Sequence, residues 1–282
     1  MTKIKKVFRT IAGDRQLLFG CLGLMILLLV ILFQGVLETH DPYEYGSDSL
    51  VGLGVNDHLL GTNKLGQDIF SMLIAGVSTS LKVALISSMI SAIIGILIGG
   101  AAGFLGGKVD LVLSELINVF MMIPTFFLEL MIIALFGNSI VNVMIVIGLT
   151  SWASNAKLMR AQALSLRERT FVKSAVVMGE SQPQILFNYI IPNGIFPVIA
   201  NTTMGMSGAI LTEASLSFLG LGDVNVISWG QMIYDGKSYI TSAWWIATFA
   251  GLAIIFTVII FYLLGDGLNH ALNPKHVSGG KK

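Results

Sequence analysis

Charge is scarce in this chain. Its 282 residues include 17 Lys and Arg and 16 Asp and Glu, together 12% of the sequence, about half the roughly 25% of a soluble domain. With 54% hydrophobic residues and a mean hydropathy of +0.81, water is excluded as the chain's only solvent. A formal net charge of +1 leaves no global electrostatic signature, so nothing supports a nucleic-acid partner. The single cysteine, Cys21, excludes an internal disulfide and any cysteine metal cluster. Inside an apolar run it reads as a small hydrophobe. The four histidines, His40, His58, His270 and His276, are split between an early polar stretch and the C-terminal end, a spacing that gives no metal-ligand motif. Gly106-Gly107-Lys108 fails as the end of a phosphate loop: Val109 stands where Ser or Thr is required, and Ala102 where the first glycine is required. Asn201-Thr202-Thr203 fits a glycosylation sequon but lies within an apolar run, which makes it a chance match. No catalytic residue, metal ligand, cofactor or nucleotide site is therefore expected in this chain.

Long apolar runs are what the sequence has in their place. They lie at about 17–37, 78–104, 113–136, 140–163, 194–219 and 244–264, each long enough as a helix to cross roughly 30 Å of hydrocarbon. Continuous rather than alternating hydrophobicity favours helices over a membrane barrel. The first run is about twice the length of the apolar part of a signal peptide and lacks a small-residue cleavage site, so it is expected to remain as a span. The fold class expected is all-α and integral to the membrane, with about six transmembrane helices.

The few cations fix a sidedness. If both termini are cytoplasmic, the inner segments hold Lys3, Lys5, Lys6, Arg9 and Arg15, then Lys108, then Lys157, Arg160, Arg167, Arg169 and Lys173, and finally Lys275, Lys281 and Lys282. Those are fourteen of the 17 basic residues. Lys64 and Lys237 fall in outer loops, with Lys82 near an outer helix end, so the positive-inside rule fits. The outer stretch 38–75 has the opposite character, with Glu38, Asp41, Glu44, Asp48, Asp57 and Asp68 against Lys64 alone. Residues 1–75 are thus read as a basic tail, a first span and an external segment, 76–274 as the membrane core, and 275–282 as a cytoplasmic tail.

Within the spans, Gly95, Gly99, Gly103 and Gly107 recur every fourth residue, a bare stripe where a neighbouring helix backbone can approach or a substrate can pass. Glu129 and Glu213 lie inside apolar runs, where a charge costs on the order of 2.5–3.5 kcal/mol unless it meets a partner or water. Both are candidates for a translocation path, and both are equally explained as locally hydrogen-bonded structural acids. Asp266, near the inner interface, reads as an end-of-helix charge.

Residues 165–193 form the most informative interval. Arg167-Glu168-Arg169 opens it, Phe171, Ala175 and Met178 follow at helical spacing, Gly179 permits a sharp turn, and Ile185, Leu186, Tyr189 and Ile190 mark a second amphipathic stretch. A connection of nearly thirty residues with this pattern is a docking element rather than slack chain. An interfacial helix resting on lipid would carry a denser basic face.

Phe171-Val-Lys-Ser-Ala-Val-Val-Met-Gly179 followed by Ile190-Ile-Pro192-Asn193 resembles the loop, roughly E-A-A-x-x-x-G and then I-x-L-P, of permease subunits in binding-protein-dependent ABC importers. Further stretches resemble the C-type permease of the dipeptide, oligopeptide and nickel importers. These are Leu60 to Asp68 with Gly66, Gly103 to Asp110, Glu213 to Gly222 with Gly220, Ser228-Trp229-Gly230, and Leu264 to Leu268. The resemblance implies the type I ABC importer permease fold in a prokaryotic cytoplasmic (inner) membrane. It implies a heterodimer with a homologous second permease, two cytoplasmic ATPases that bind ATP and Mg²⁺, and an extracytoplasmic substrate-binding protein or lipoprotein. It further implies that Glu168, Phe171, Ala175, Met178, Gly179, Ile185 and Pro192 belong to the ATPase-coupling loop, and that Gly66, Asp68, Gly220 and Trp229 lie at the outer face.

Departures accompany the resemblance. Lys173 stands where the family usually has the glutamate, Ser174 where it has the first alanine, Gln67 where it has arginine, and Tyr189 where it has histidine. Glu129 occupies a position that is commonly apolar. A di- or oligopeptide cargo is expected, with nickel or a metal chelate open as the alternative. An intramembrane enzyme lacks a catalytic pair here, and a channel has no use for a docking loop.

Overall fold

The computed structural model of the protein describes residues 14–272. The cations at 3, 5, 6, 9, 275, 281 and 282, His276 and the tail 275–282 lie outside the described residues.

Among the described residues thirteen α-helices follow one another: α1 Arg15–Leu32, α2 Gln34–Leu37, α3 Ile69–Leu105, α4 Gly107–Met122, α5 Thr125–Phe136, α6 Ile140–Thr150, α7 Trp152–Arg167, α8 Thr170–Val177, α9 Gln182–Ile185, α10 Ile191–Gly194, α11 Phe196–Leu216, α12 Trp229–Gly236 and α13 Trp245–Leu272. Wider π turns join α9 to α10 at Leu186–Ile190 and extend α11 through Ser217–Leu221. Four helices, α1, α3, extended α11 and α13, are long and apolar enough to cross a membrane, and a fifth span results if α4 and α5, bent by 83°, are counted as one.

The six expected runs are thus corrected at two places. The run 113–136 breaks at Pro124, whose ring holds φ near −65° and offers no amide hydrogen, while Ile123 before it is extended at φ −74°, ψ 129°. The run 140–163 breaks at Ser151 into α6, of 11 residues, and α7, of 16. The first of these is about 16 Å long, too short to span alone, and the second carries Asn155, Lys157 and Arg160.

The longest helix, α3, organises the rest. It begins at Asp68, whose carboxylate accepts the Ser71 amide at 2.8 Å, two to three turns before the apolar run. Its 37 residues reach about 55 Å. Near its C-terminal end the glycine stripe receives α7. A methyl group on Gly95 would lie 2.9 Å from the Ala156 amide nitrogen, and ones on Gly99 and Gly103 would collide with the carbonyls of Ala156 and Arg160. Backbones touch here because no side chain intervenes. Gly107 leaves the stripe, since it starts α4 and faces open space. Arg160 then grips Asp110 through two nitrogens, one pair at 2.8 Å, and so ties α7 to the start of α4.

At the other flank α1 runs antiparallel to α13, with Gly20 and Gly23 against Leu264 and Ile260, and Gly267 against Leu17. Asp14 and His270 come within 3.6 Å, so both ends of the described chain lie at one end of the bundle. Gly265 meets Ala200 and Met204 of α11, which places the 165–193 loop at that same end.

Candidate functional site

The loop is rooted by one face and bare on the other. α8 buries Val172 and Ala175, and the second limb buries Ile185 and Ile190. These four pack with Met159 and Ala163 of α7 and Val198 of α11 in one apolar cluster. Displacement of the loop must therefore carry α7 and α11 with it, because a close-packed cluster transmits strain. The opposite face leaves Val177 87% and Met178 71% exposed, with Phe171, Val176 and Phe187 beside them. Of the residues at that helical spacing, Ala175 is buried beside Val172, while Phe171 and Met178 are exposed.

Gly179 provides the turn. Its φ of +81° lies in the left-handed region, which glycine enters without the 1–2 kcal/mol an L side chain would cost. A side chain there would meet nothing within 4 Å, so the position is constrained by backbone conformation and not by crowding within this chain. Beyond it the Ser181 amide donates to Gln184 Oε1 at 3.0 Å, starting α9. The Tyr189 hydroxyl donates to Glu180 Oε1 at 2.6 Å and draws the second limb back to the turn. Pro192 stands in the first turn of α10, directly after the π turn Leu186–Ile190. At the loop's entry Lys173 Nζ lies 3.0 Å from Glu168, and this contact, followed by Arg167 nearby, holds the exposed carboxyl below its ordinary value. The lysine that departs from the family pattern is paired inside its own loop.

The motifs expected at the outer face lie toward the opposite end of α3. Asp68 caps α3 and is buried, with His58 Nδ1 at 2.9 Å from one oxygen and the Thr39 hydroxyl donating to the other. Burial pushes its carboxyl up, but hydrogen bonds from the Ser71 amide, His58, the Ser71 hydroxyl and Thr39 outweigh that and leave it below the ordinary value. Gly66 lies against Gly46. Gln67, in place of the usual arginine, is buried and donates to the Pro42 carbonyl at 3.1 Å. Trp229, on α12, donates from Nε1 to the Leu73 carbonyl at 3.1 Å, and Gly220 faces the Tyr234 ring.

Glu213 and Glu129 both have local partners. Ser217 and Ser228 donate to Glu213 Oε1 at 2.9 and 2.7 Å, which joins the end of α11 to the start of α12. The Thr150 hydroxyl donates to Glu129 Oε1 at 2.6 Å, joining α5 to α6. Neither acid lines the polar cavity of about 60 Å³ in the bundle, whose wall includes Ser87, Ser88, Ser91, Asn155, Asn201 and Thr202. There Asn155 donates to Ser91 at 3.1 Å and accepts from Asn201 at 2.8 Å. Sequence reasoning passed over this group, although hydroxyl and amide residues recurring inside apolar runs were its visible signal. It also placed His40 and His58 in no cluster, whereas the fold brings both to Asp68.

A bundle of membrane-length helices with a rooted loop at one end and a folded polar segment at the other defines a membrane transport subunit. A family model for the binding-protein-dependent transport system inner membrane component matches residues 91–277, and the chain belongs to this family. It is 33% identical over 279 residues to a di/tripeptide transport system permease protein of Pseudomonas aeruginosa, covering 96% of this chain and 92% of that one. It is 30% identical over 272 residues to a dipeptide transport system permease protein of Alkalihalophilus pseudofirmus, covering 96% and 90%. An inward-facing structure of the MetNI methionine ABC transporter matches with a TM-score of 0.56 at 18% identity, over 72% of this chain and 96% of that one. The fold is that of a type I ABC importer permease.

Proposed function

We propose that this chain is one permease half of an ATP-driven importer of di- and oligopeptides. The observation that carries the reading is the loop 165–193: an apolar tip at Val177 and Met178 that is exposed among the described residues, on a base locked to α7 and α11. In this reading the tip seats in a groove of a cytoplasmic ATPase. Nucleotide-driven closure of two such ATPases, which hold the ATP and Mg²⁺, displaces the loop, and the loop turns the bundle between outward and inward states. ATP binding thereby supplies the differential free energy that a two-state element needs. A homologous second permease completes the path, and a binding protein or lipoprotein delivers cargo to the outer face built by Asp68, Glu213 and Trp229. The cation distribution supports a cytoplasmic position for the loop and both termini.

Peptide cargo is favoured by the names of the relatives, which are peptide permeases. The Ser, Thr and Asn wall suits it chemically: neutral donors and acceptors pair with a peptide backbone whatever its side chains. The test is uptake of a labelled dipeptide into vesicles bearing the whole transporter and its binding protein. ATP-dependent, vanadate-sensitive uptake supports the reading; ATP-independent flux would point to a channel, and accumulation of nickel without peptide would change the cargo.

A further inference from the structure

On the face opposite the loop, two imidazoles converge on one carboxylate oxygen. His58 Nδ1 lies 2.9 Å and His40 Nδ1 3.9 Å from Asp68 Oδ1. The two rings pack 4.6 Å apart, tilted by 33°. Asp68 is divided in its duties: Oδ2 receives the Ser71 amide and the Thr39 hydroxyl, which leaves Oδ1 to the histidines. A helix cap needs at most one of these rings. The second stands beyond hydrogen-bond reach of the oxygen it faces.

We propose that His40, His58 and Asp68 form a binding site for a divalent transition-metal ion of the zinc class. Zinc takes imidazole nitrogen and carboxylate oxygen at about 2.0–2.2 Å in a tetrahedron, which sets neighbouring donor atoms roughly 3.4 Å apart. The separations of 2.9 and 3.9 Å straddle that spacing. All three donor atoms lie within 4.8 Å of one another. His40, whose side chain is 37% exposed, would exchange its Nδ1 contact with the Thr39 hydroxyl at 3.2 Å for the ion. Two imidazoles with one carboxylate are a donor set suited to zinc, nickel or cobalt and ill suited to magnesium or calcium. The ion takes the place of the direct contact between His58 Nδ1 and Asp68 Oδ1.

The surroundings agree with this assignment. A concavity of about 210 Å³ opens at the site and is lined also by Asp41, Glu44 and Asp48, with no Lys or Arg among its lining residues. It gives a cation an entry path, a favourable field and room for a fourth ligand from water or an acid. Asp48 Oδ2 lies 4.0 Å from His58 Nε2, placed to orient that ring from behind as carboxylates do for metal-bound histidines. Once bound, the ion links the chain just after α2, the turn at 58 and the start of α3. The site is independent of what the permease carries.

The test is zinc chloride titration and metal analysis of the full-length chain purified in detergent, with cobalt chloride as the optical probe. The parent chain is expected to retain one zinc per molecule, His40→Ala to bind at least about tenfold more weakly, and His40→Cys to keep cobalt with a new thiolate-to-cobalt absorption. The Cys variant carries the test alone if the Ala variant does not fold. No stoichiometric zinc on the parent, equal affinity in His40→Ala, or cobalt bound by His40→Cys without the thiolate absorption would overturn the proposal.

Discussion

The polar segment 39–68 and the loop 165–193 use their side chains in opposite ways. In the polar segment the polar groups are turned inward and matched within the chain: Asp68 to His58, Thr39 and Ser71, Gln67 to Pro42, Asn63 to Gln67. In the loop the matched part is apolar, and the unmatched part is an apolar tip facing outward. The first arrangement holds its own shape. The second holds only its base, and its tip acquires a purpose when another surface meets it.

Four substitutions separate these two designs, beginning with the largest effect. Gly99→Leu drives a side chain into the Ala156 carbonyl and is expected to cost about 3 kcal/mol, the upper part of the overpacking range. Because α7 carries the base of the loop, proteolysis should sever 165–193 in this variant while 39–68 stays protected. Asp68→Ala removes a cap and strands His58 and Thr39, at a cost of about 2 kcal/mol. The proteolytic pattern should then invert, with 39–68 cut and the loop intact. Gly179→Ala strains the left-handed turn by about 1 kcal/mol and should lower thermal stability slightly, with a larger fractional loss of transport than of folding. Glu129→Gln keeps an acceptor for Thr150 and should leave peptide uptake at the parent level; a shift in substrate affinity would put Glu129 on the transport path.

The same contrast governs how much the sequence disclosed. Helical class, the approximate spans and the loop were legible because apolar runs and a repeating motif are local signals. The glycine stripe at 95, 99 and 103 was legible for the same reason, and its contact with α7 follows the expected spacing. The breaks at Pro124 and Ser151 escaped, since hydropathy averages across a kink and Ser151 has no strong breaker beside it. Asp68 as the start of α3 was hidden because Ser78-Thr79-Ser80 and Lys82 interrupt the apolar signal and separate Ile69–Val77 from the longer run that follows. The meeting of His40, His58 and Asp68 depends on turns folding a polar segment onto a helix end, which no periodicity records; two of the four histidines in one acid-rich stretch were the only hint.

The account's central claim is that the tip around Gly179 is where an ATPase engages this chain. Gly179→Glu tests it most directly, since the space there is open within the chain itself and a charged side chain is met only by a partner. Membrane-inserted amounts, pull-down of the ATPase subunits and ATP-driven peptide uptake are to be measured side by side in parent and variant. Insertion near the parent level, with ATPase association weakened and uptake abolished, is the predicted result. ATPase association and uptake both at the parent level would contradict the assignment of this loop.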